Sequence, residues 1–270
     1  MKKSEQKTLV IIAGVAGEIG TSFARRITKK ETDVIGVIRK TPVSEKMNSH
    51  FSTVSCDLSN EYQIEDAFKN IALENYSNVI YLHTIGVDKF NPRNYPEVVK
   101  MNTIDPDIYD TNVNSFKYLL RYLGKKVAEI NTNGTSLKLK TAIISGTSDK
   151  YAPFVIEDFC EAKYIIREYI RSYVGRFPEW FSGLAINVTL TITKSALAVR
   201  PYAKTDYWLT DVDVVEQSIS DLLSQDLGYK EIDLMKHSPN YVEGYYEDKD
   251  MLYTKWSAET GIVSPNMMQK

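Results

Sequence analysis

The chain has 270 residues, of which 43% are apolar and 25% charged, and its formal net charge at neutral pH is −2. That is ample material for a buried core, and the near balance of charge excludes both a basic field for nucleic acid and an acidic solvating tail. No apolar run approaches the roughly 18 residues that span a bilayer, so the composition points to no membrane partner.

The N-terminal stretch MKKSEQKTLVIIAGVAGEIG begins like a signal peptide, but glycines and Glu18 interrupt its apolar run and no small-residue cleavage site follows. Strands are predicted at 8–14, 33–38, 51–56, 78–86, 140–146 and 183–190, with a weaker seventh at 231–235. Their Val and Ile residues fall on successive positions rather than alternate ones, as in strands covered on both faces of a parallel sheet. Helical spacing runs over 18–30, 61–74, 107–129, 158–175 and 211–225, the last with Thr210 or Asp211 as N-cap. This alternation predicts an α/β protein with a single-domain Rossmann fold. Its sheet should be doubly wound and mostly parallel, of about seven strands, with helices on both faces.

The predicted domain covers 1–235, and residues 236–270 form a C-terminal extension. NTNGTSLKLK (131–140) is expected as a polar hairpin-like insertion before the fifth strand. The last 35 residues hold four tyrosines and a tryptophan, too aromatic for a disordered tail. They are expected to pack on the body, on a partner subunit in a homo-oligomer, or over the site. Residues 240–256 carry more acids than bases, which speaks against a nucleic-acid platform. Cys56 and Cys160 lie in unrelated contexts, as expected of reduced thiols in a cytoplasmic protein, and His50, His83 and His237 show no metal spacing.

AGVAGEIG (13–20) falls between the first strand and the first helix, with glycines at 14, 17 and 20. This G-x-x-G-x-x-G is a variant of the dinucleotide fingerprint. Gly14 allows the tight turn, Gly17 lets the backbone approach a pyrophosphate, and Gly20 lets the helix pack closely on the sheet. The helix that opens at Glu18 and Ile19 then offers unpaired N–H groups to the phosphates. An NAD site places an acid at the end of the second strand to accept from the ribose 2′-hydroxyl. Here VIGVIRKT ends in Ile38, Arg39 and Lys40, about 20 residues past Gly20. A guanidinium suits a 2′-phosphate, so NADP is expected as cofactor ahead of NAD.

Over residues 8–235 the chain resembles the short-chain dehydrogenase/reductase family. CDLSN after the third strand looks like the family's adenine contact, here Asp57 and Leu58. HTIG (83–86) stands where the family has Asn-Asn-Ala-Gly and keeps only Gly86. YDTNVNSFKYLL (109–120) matches the helix carrying the active-site asparagine, here Asn112, and IISGTSDKY (143–151) places Thr147 on the family's Ser/Thr position. The resemblance implies a carbonyl or alcohol of a small-molecule substrate, oriented by Thr147, with Asn112 linking Lys163 to a water relay. Lys163 would hold the ribose hydroxyls and lower the pKa of a tyrosine four residues earlier.

That tyrosine is Phe159, within DFCEAKY (158–164). A second departure lies after the sixth strand, where Thr191 and Ile192 replace the family's Pro-Gly. Three readings follow. Another group supplies the proton, with Tyr151 the leading candidate ahead of Lys163 itself or a water held by Thr147 and Asn112. Or the chain binds NADP(H) without turnover, as a sensor, scaffold or inactive partner subunit. Or substrate positioning and hydride transfer suffice for slow or specialised chemistry. Tyr164 should point about 100° around the helix from Lys163.

Overall fold

The computed structural model describes residues 7–27, 32–39, 51–87, 104–146, 157–223 and 228–236. Seven strands form one sheet: β1 (Thr8–Ala13), β2 (Thr32–Ile38), β3 (Ser52–Ser55), β4 (Asn78–His83), β5 (Lys138–Gly146), β6 (Phe181–Val188) and β7 (Tyr229–Leu234). Their order is β3-β2-β1-β4-β5-β6-β7, and every neighbouring pair is parallel.

Burial explains which strands the sequence announced clearly. In β1 and β4 every residue after the first is buried, and β6 is buried throughout. Strands covered on both faces read as unbroken apolar runs. β7 lies at the sheet edge and mixes half-buried with exposed positions, hence its weaker signal.

The helices divide between the two faces. α1 (Glu18–Ile27) and the helix Asp211–Leu223, here α6, cover one face with Phe23, Ala24, Ile27, Val214, Val215 and Leu222. The other face is covered by α2 (Glu61–Phe68), by α3 and by α4 (Glu157–Arg176). α3 begins as a short helical turn at Pro106–Ile108, widens into a π-helical turn at Tyr109–Asn114, and continues as a regular helix over Ser115–Thr132. α5 (Lys194–Val199) lies in the connection from β6 to α6.

Three sequence expectations need correction. Residues 131–140 are not a hairpin-like insertion. Asn131 and Thr132 still belong to α3, Gly134 turns the chain with φ of 85°, and residues 138–140 already belong to β5. The Asn131 side chain closes this turn, donating through Nδ2 to Leu137 O (3.0 Å) and accepting from Leu137 N (2.7 Å). The helix predicted over 61–74 ends at Phe68, and Leu73 is buried by a separate 3₁₀ turn at Leu73–Asn75. Residues 192–210, which showed no element in the sequence, contain α5.

Of the two candidate caps for α6, Thr210 fills the position. Its Oγ1 accepts from Asp213 N (3.1 Å), while Asp213 Oδ2 accepts from Thr210 N (2.9 Å). This reciprocal capping box satisfies two otherwise orphaned donors, and those bonds hold the Asp213 carboxyl below its usual range. Cys56 and Cys160 are both buried and unpaired with each other, and burial pushes the Cys56 thiol up to about 11.

Candidate nucleotide and active site

β1 and β4 are neighbours, yet the chain leaves β1 toward β2 and leaves β4 toward β5. The connections therefore part at the carboxyl ends of these two strands and open a crevice. In doubly wound sheets that switch point is where ligands bind.

The phosphate loop forms one wall of this crevice. Gly14 has φ of 83°, a left-handed conformation, and a Cβ on it would meet Thr84 Oγ1 at 2.8 Å. A Cβ on Gly20 would lie 2.4 Å from the carbonyl oxygen of Gly14. Gly14 and Gly20 are thus required by the chain's own packing. Gly17 differs, because a Cβ there would meet only Gly14 O, at 3.3 Å, and the residue is exposed. Backbone accessible in front of a helix N-terminus is what a pyrophosphate needs. Thr21 Oγ1 donates to Val15 O (2.7 Å) and holds the loop against the helix.

Ile19 is half-buried against the core, while Glu18 is exposed and its carboxylate accepts from Lys194 N (2.5 Å). Arg39 is exposed immediately after β2, at the same end of the sheet as the loop. Leu58 is buried in the core. Asp57 closes its own turn, its Oδ1 accepting from Ser59 N (3.0 Å) and Ser59 Oγ (2.7 Å).

The segment after β4 joins the phosphate loop to the reacting end. Thr84 donates to Ala13 O through its backbone N (3.0 Å) and through its Oγ1 (2.8 Å). The next carbonyl, of Ile85, accepts from Lys163 Nζ at 2.8 Å. Lys163 is 1% exposed, and its ammonium lies 5.3 Å from the centroid of the Phe159 ring. A Cβ added to Gly86 would lie 3.5 Å from Phe159 Cε2 and 3.7 Å from Lys163 Nζ. Gly86, Phe159 and Lys163 therefore share one small volume. An ammonium facing an aromatic ring is held by the ring quadrupole, with no proton to exchange.

Asn112 sits in the π-helical turn and is fully buried. Its Oδ1 accepts from Val87 N (3.0 Å), and its Nδ2 donates to Val87 O (2.8 Å) and Ile108 O (2.9 Å). Both amide hydrogens are thus committed to the backbone, and the side chain clamps the segment that carries Ile85 and Gly86. Its geometry is that of a positioning residue. π-turns of this kind often mark functional sites.

His83 closes β4 beneath this cluster, fully buried. Its Nδ1 is 2.8 Å from the Tyr81 hydroxyl, and its ring meets Phe116 edge-on at 5.3 Å. Burial, reinforced by the nearby Lys163 ammonium, holds this imidazole well below its ordinary pKa. His83 is accordingly neutral at physiological pH.

The structure brings Gly86, Lys163 and Phe159 together, with Asn112 one step behind. Thr147 and Tyr151 lie outside the described residues. Tyr164 is 51% exposed on α4, turned from the buried Lys163. Thr191 and Ile192 pair with Leu209, whose carbonyl accepts from Ile192 N (2.8 Å). Sequence reasoning missed Thr84 and Ile85, because their roles run through backbone carbonyls. It also missed Ser145, whose buried hydroxyl at the end of β5 has no partner among the described residues. Proximity to Thr147 in IISGTS was the only available signal for Ser145. Among the described residues no helix is long and apolar enough to cross a membrane, and no His, Cys, Asp and Glu cluster could hold a metal ion.

A profile of the NAD dependent epimerase/dehydratase family matches residues 10–91, which span β1 to the segment after β4. No curated protein matches the chain significantly. Among solved structures, similarity extends over most of the chain. A 3-ketoacyl-(acyl-carrier-protein) reductase from Brucella melitensis, complexed with NADH, aligns with a TM-score of 0.66 at 18% identity over 86% of this chain and 98% of its own. A short chain dehydrogenase from Bacillus anthracis gives 0.69 at 16% identity, covering 88% and 100%. An actinorhodin polyketide ketoreductase with NADPH gives 0.68 at 14% identity, covering 88% and 99%. With its all-parallel seven-stranded sheet and its glycine loop at the switch point, the chain has the fold of these solved dehydrogenases and reductases.

Proposed function

We propose that the chain is an NADP(H)-dependent oxidoreductase acting on a carbonyl or alcohol of a small molecule, with its proton supplied by a group other than a side chain at position 159. One observation carries this reading. Lys163 is buried and fixed on the Ile85 carbonyl beside Gly86, in the crevice whose other wall is the phosphate loop. Burying an ammonium is costly unless it is paired and hydrogen-bonded. The structural relatives include proteins complexed with NADH and with NADPH, which supports a nicotinamide dinucleotide.

The residues fit such a cofactor. Gly17 leaves the backbone open to a pyrophosphate, Gly14 and Gly20 fix the loop, Asp57 and Leu58 stand at the adenine end, and Lys163 faces the ribose and nicotinamide end. Nicotinamide supplies or accepts the hydride when bound. The chain's own part is to orient the substrate oxygen, through Thr147, and to deliver or remove one proton there. Tyr151 is the proposed proton source, being a phenol on the loop after β5 that also carries Thr147. Lys163 is the cation proposed to favour its phenolate. In reduction, the Tyr151 O–H bond breaks as the product O–H bond forms, and solvent restores the phenol.

Arg39 carries the preference for NADP(H), since no acid occupies the end of β2 to accept from a ribose 2′-hydroxyl. Fluorescence titration should show NADPH binding about tenfold more tightly than NADH. Arg39→Asp should reverse that order by replacing a forked phosphate contact with like-charge repulsion. Equal affinity of the unaltered chain for the two cofactors would refute the NADP(H) preference.

A further inference from the structure

His83, Ser145 and Asn187 form a polar row beneath the reacting cluster. They stand at the carboxyl ends of adjacent strands, β4, β5 and β6, and are sealed from solvent, with exposures of 0%, 2% and 0%. Side chains alternate between the two faces of a strand. His83 therefore shares a face with Tyr81, Ser145 with Ile143 and Asn187 with Ala185, all of which pack in the core beneath α3 and α4. Ser145 and Asn187 are direct partners in the register of β5 and β6. α4 packs on β5, β6 and β7 and so covers the row.

Each residue carries an orphan atom. His83 Nε2, Ser145 Oγ and Asn187 Oδ1 have no hydrogen-bond partner among the described residues. The Tyr81 hydroxyl lies 2.8 Å from His83 Nδ1, and whichever tautomer that bond selects, Nε2 still needs a donor or an acceptor. Asn187 Nδ2 donates to Asp233 Oδ1 (2.8 Å), a carboxylate that sets the amide's orientation and leaves Oδ1 as the orphan. Buried polar atoms are nearly always paired, with protein or with ordered water. A buried water typically bonds about three such groups, and it enters polar sites where an apolar void stays dry.

The row has an inner and an outer end. Inward, His83 lies near enough to Lys163 for the ammonium to help hold its imidazole neutral. Outward, Asp233 is exposed on the edge strand β7. Asn112 has no hydrogen left for a relay water, since its amide donates to Val87 O and Ile108 O. Lys163 and Arg167, one turn apart on the buried side of α4, place positive charge over this layer. Such charge favours the hydroxide-like defect that passes outward as protons move inward.

We infer that a file of buried water fills this row, from Lys163 at the reacting end to Asp233 at the sheet edge, and carries the proton that each turnover consumes or releases. The inference rests on the oxidoreductase reading, whose proton source must be recharged from solvent. In reduction that source gives its proton to the substrate oxygen. The nearest water then protonates the source, one O–H bond breaking as the other forms, and takes a proton in turn from its outer neighbour. Ser145, both donor and acceptor, passes a proton in the same way. Solvent beside Asp233 supplies the last one, and oxidation runs the sequence backwards.

Two measurements on the full-length protein test this. A crystal structure that resolves ordered water should show one within about 3 Å of both Ser145 Oγ and Asn187 Oδ1, and another on His83 Nε2. Ser145→Ala should slow NADPH-dependent reduction of an activated diketone about tenfold in kcat, with KM unchanged and a larger solvent deuterium isotope effect. Imidazole buffer, a soluble proton carrier, should restore that rate, and Ser145→Thr, which keeps the hydroxyl, should lose little. A merely structural fault would not respond to buffer. A row without water would overturn the proposal whatever the chain catalyses. So would a Ser145→Ala protein as fast as the unaltered chain, or a slow one that buffer does not restore. A chain that binds NADPH but reduces nothing, with the water in place, would overturn the oxidoreductase reading and the relay with it.

Discussion

Phe159→Tyr should acquire carbonyl reduction with NADPH, at least tenfold above the unaltered chain on an activated diketone. The Phe159 ring already lies beside Gly86, with its centroid 5.3 Å from Lys163 Nζ. A hydroxyl on that ring would stand next to a buried ammonium, which stabilises the phenolate and so lowers the phenol's pKa. A well-placed general acid contributes about 10²–10⁴ in rate, so a tenfold gain is a conservative expectation. The companion variant Tyr151→Phe should remove native turnover. A Phe159→Tyr protein that binds NADPH normally without any gain, together with a silent Tyr151→Phe, would instead make the chain a non-catalytic binder.

The second large effect is expected at the phosphate loop, where neighbouring glycines should fail in different ways. Gly17→Val should weaken NADPH and NADH alike by about 100-fold, equivalent to roughly 2.7 kcal/mol, and leave thermal unfolding nearly unchanged. Its side chain meets little of the protein itself, since a Cβ there approaches only Gly14 O, at 3.3 Å. It would stand in the path of the pyrophosphate. Gly20→Ala should do the reverse. Its Cβ would fall 2.4 Å from the same carbonyl oxygen, a backbone atom that cannot step aside, and overpacking of that kind costs about 1–3 kcal/mol of stability. Calorimetric titration and thermal melts of both variants separate the two roles. If Gly17→Val binds normally, the loop is a turn and nothing more.

These contrasts show what the sequence could and could not carry. β1, β4 and β6 were legible because burial on both faces leaves few polar positions, whereas β7 was faint because an edge strand keeps its polar residues. Lys163 was found through its spacing from position 159, and it is buried. The Ile85 carbonyl that holds it was not legible, since any residue supplies a carbonyl there. The same is true of the π-helical turn at Tyr109–Asn114, which the Asn112 clamp on Val87 accompanies and which no apolar period encodes. α5 escaped notice because six residues on an exposed connection need no amphipathic repeat. The Glu18–Lys194 bond links the two ends of the fold across 176 residues and has no local signature at all.

The central claim is that a nicotinamide dinucleotide lies in the β1/β4 crevice with Phe159 where a phenol would stand. A crystal structure of the full-length protein with NADPH tests it most directly. The account predicts the pyrophosphate in front of Gly17 and the start of α1, the 2′-phosphate against Arg39, and Lys163 Nζ within about 3 Å of a ribose hydroxyl. The Phe159 ring should lie in van der Waals contact, about 4 Å, with the nicotinamide end. A dinucleotide bound elsewhere, or bound here with its nicotinamide turned away from Lys163 and Phe159, would contradict it.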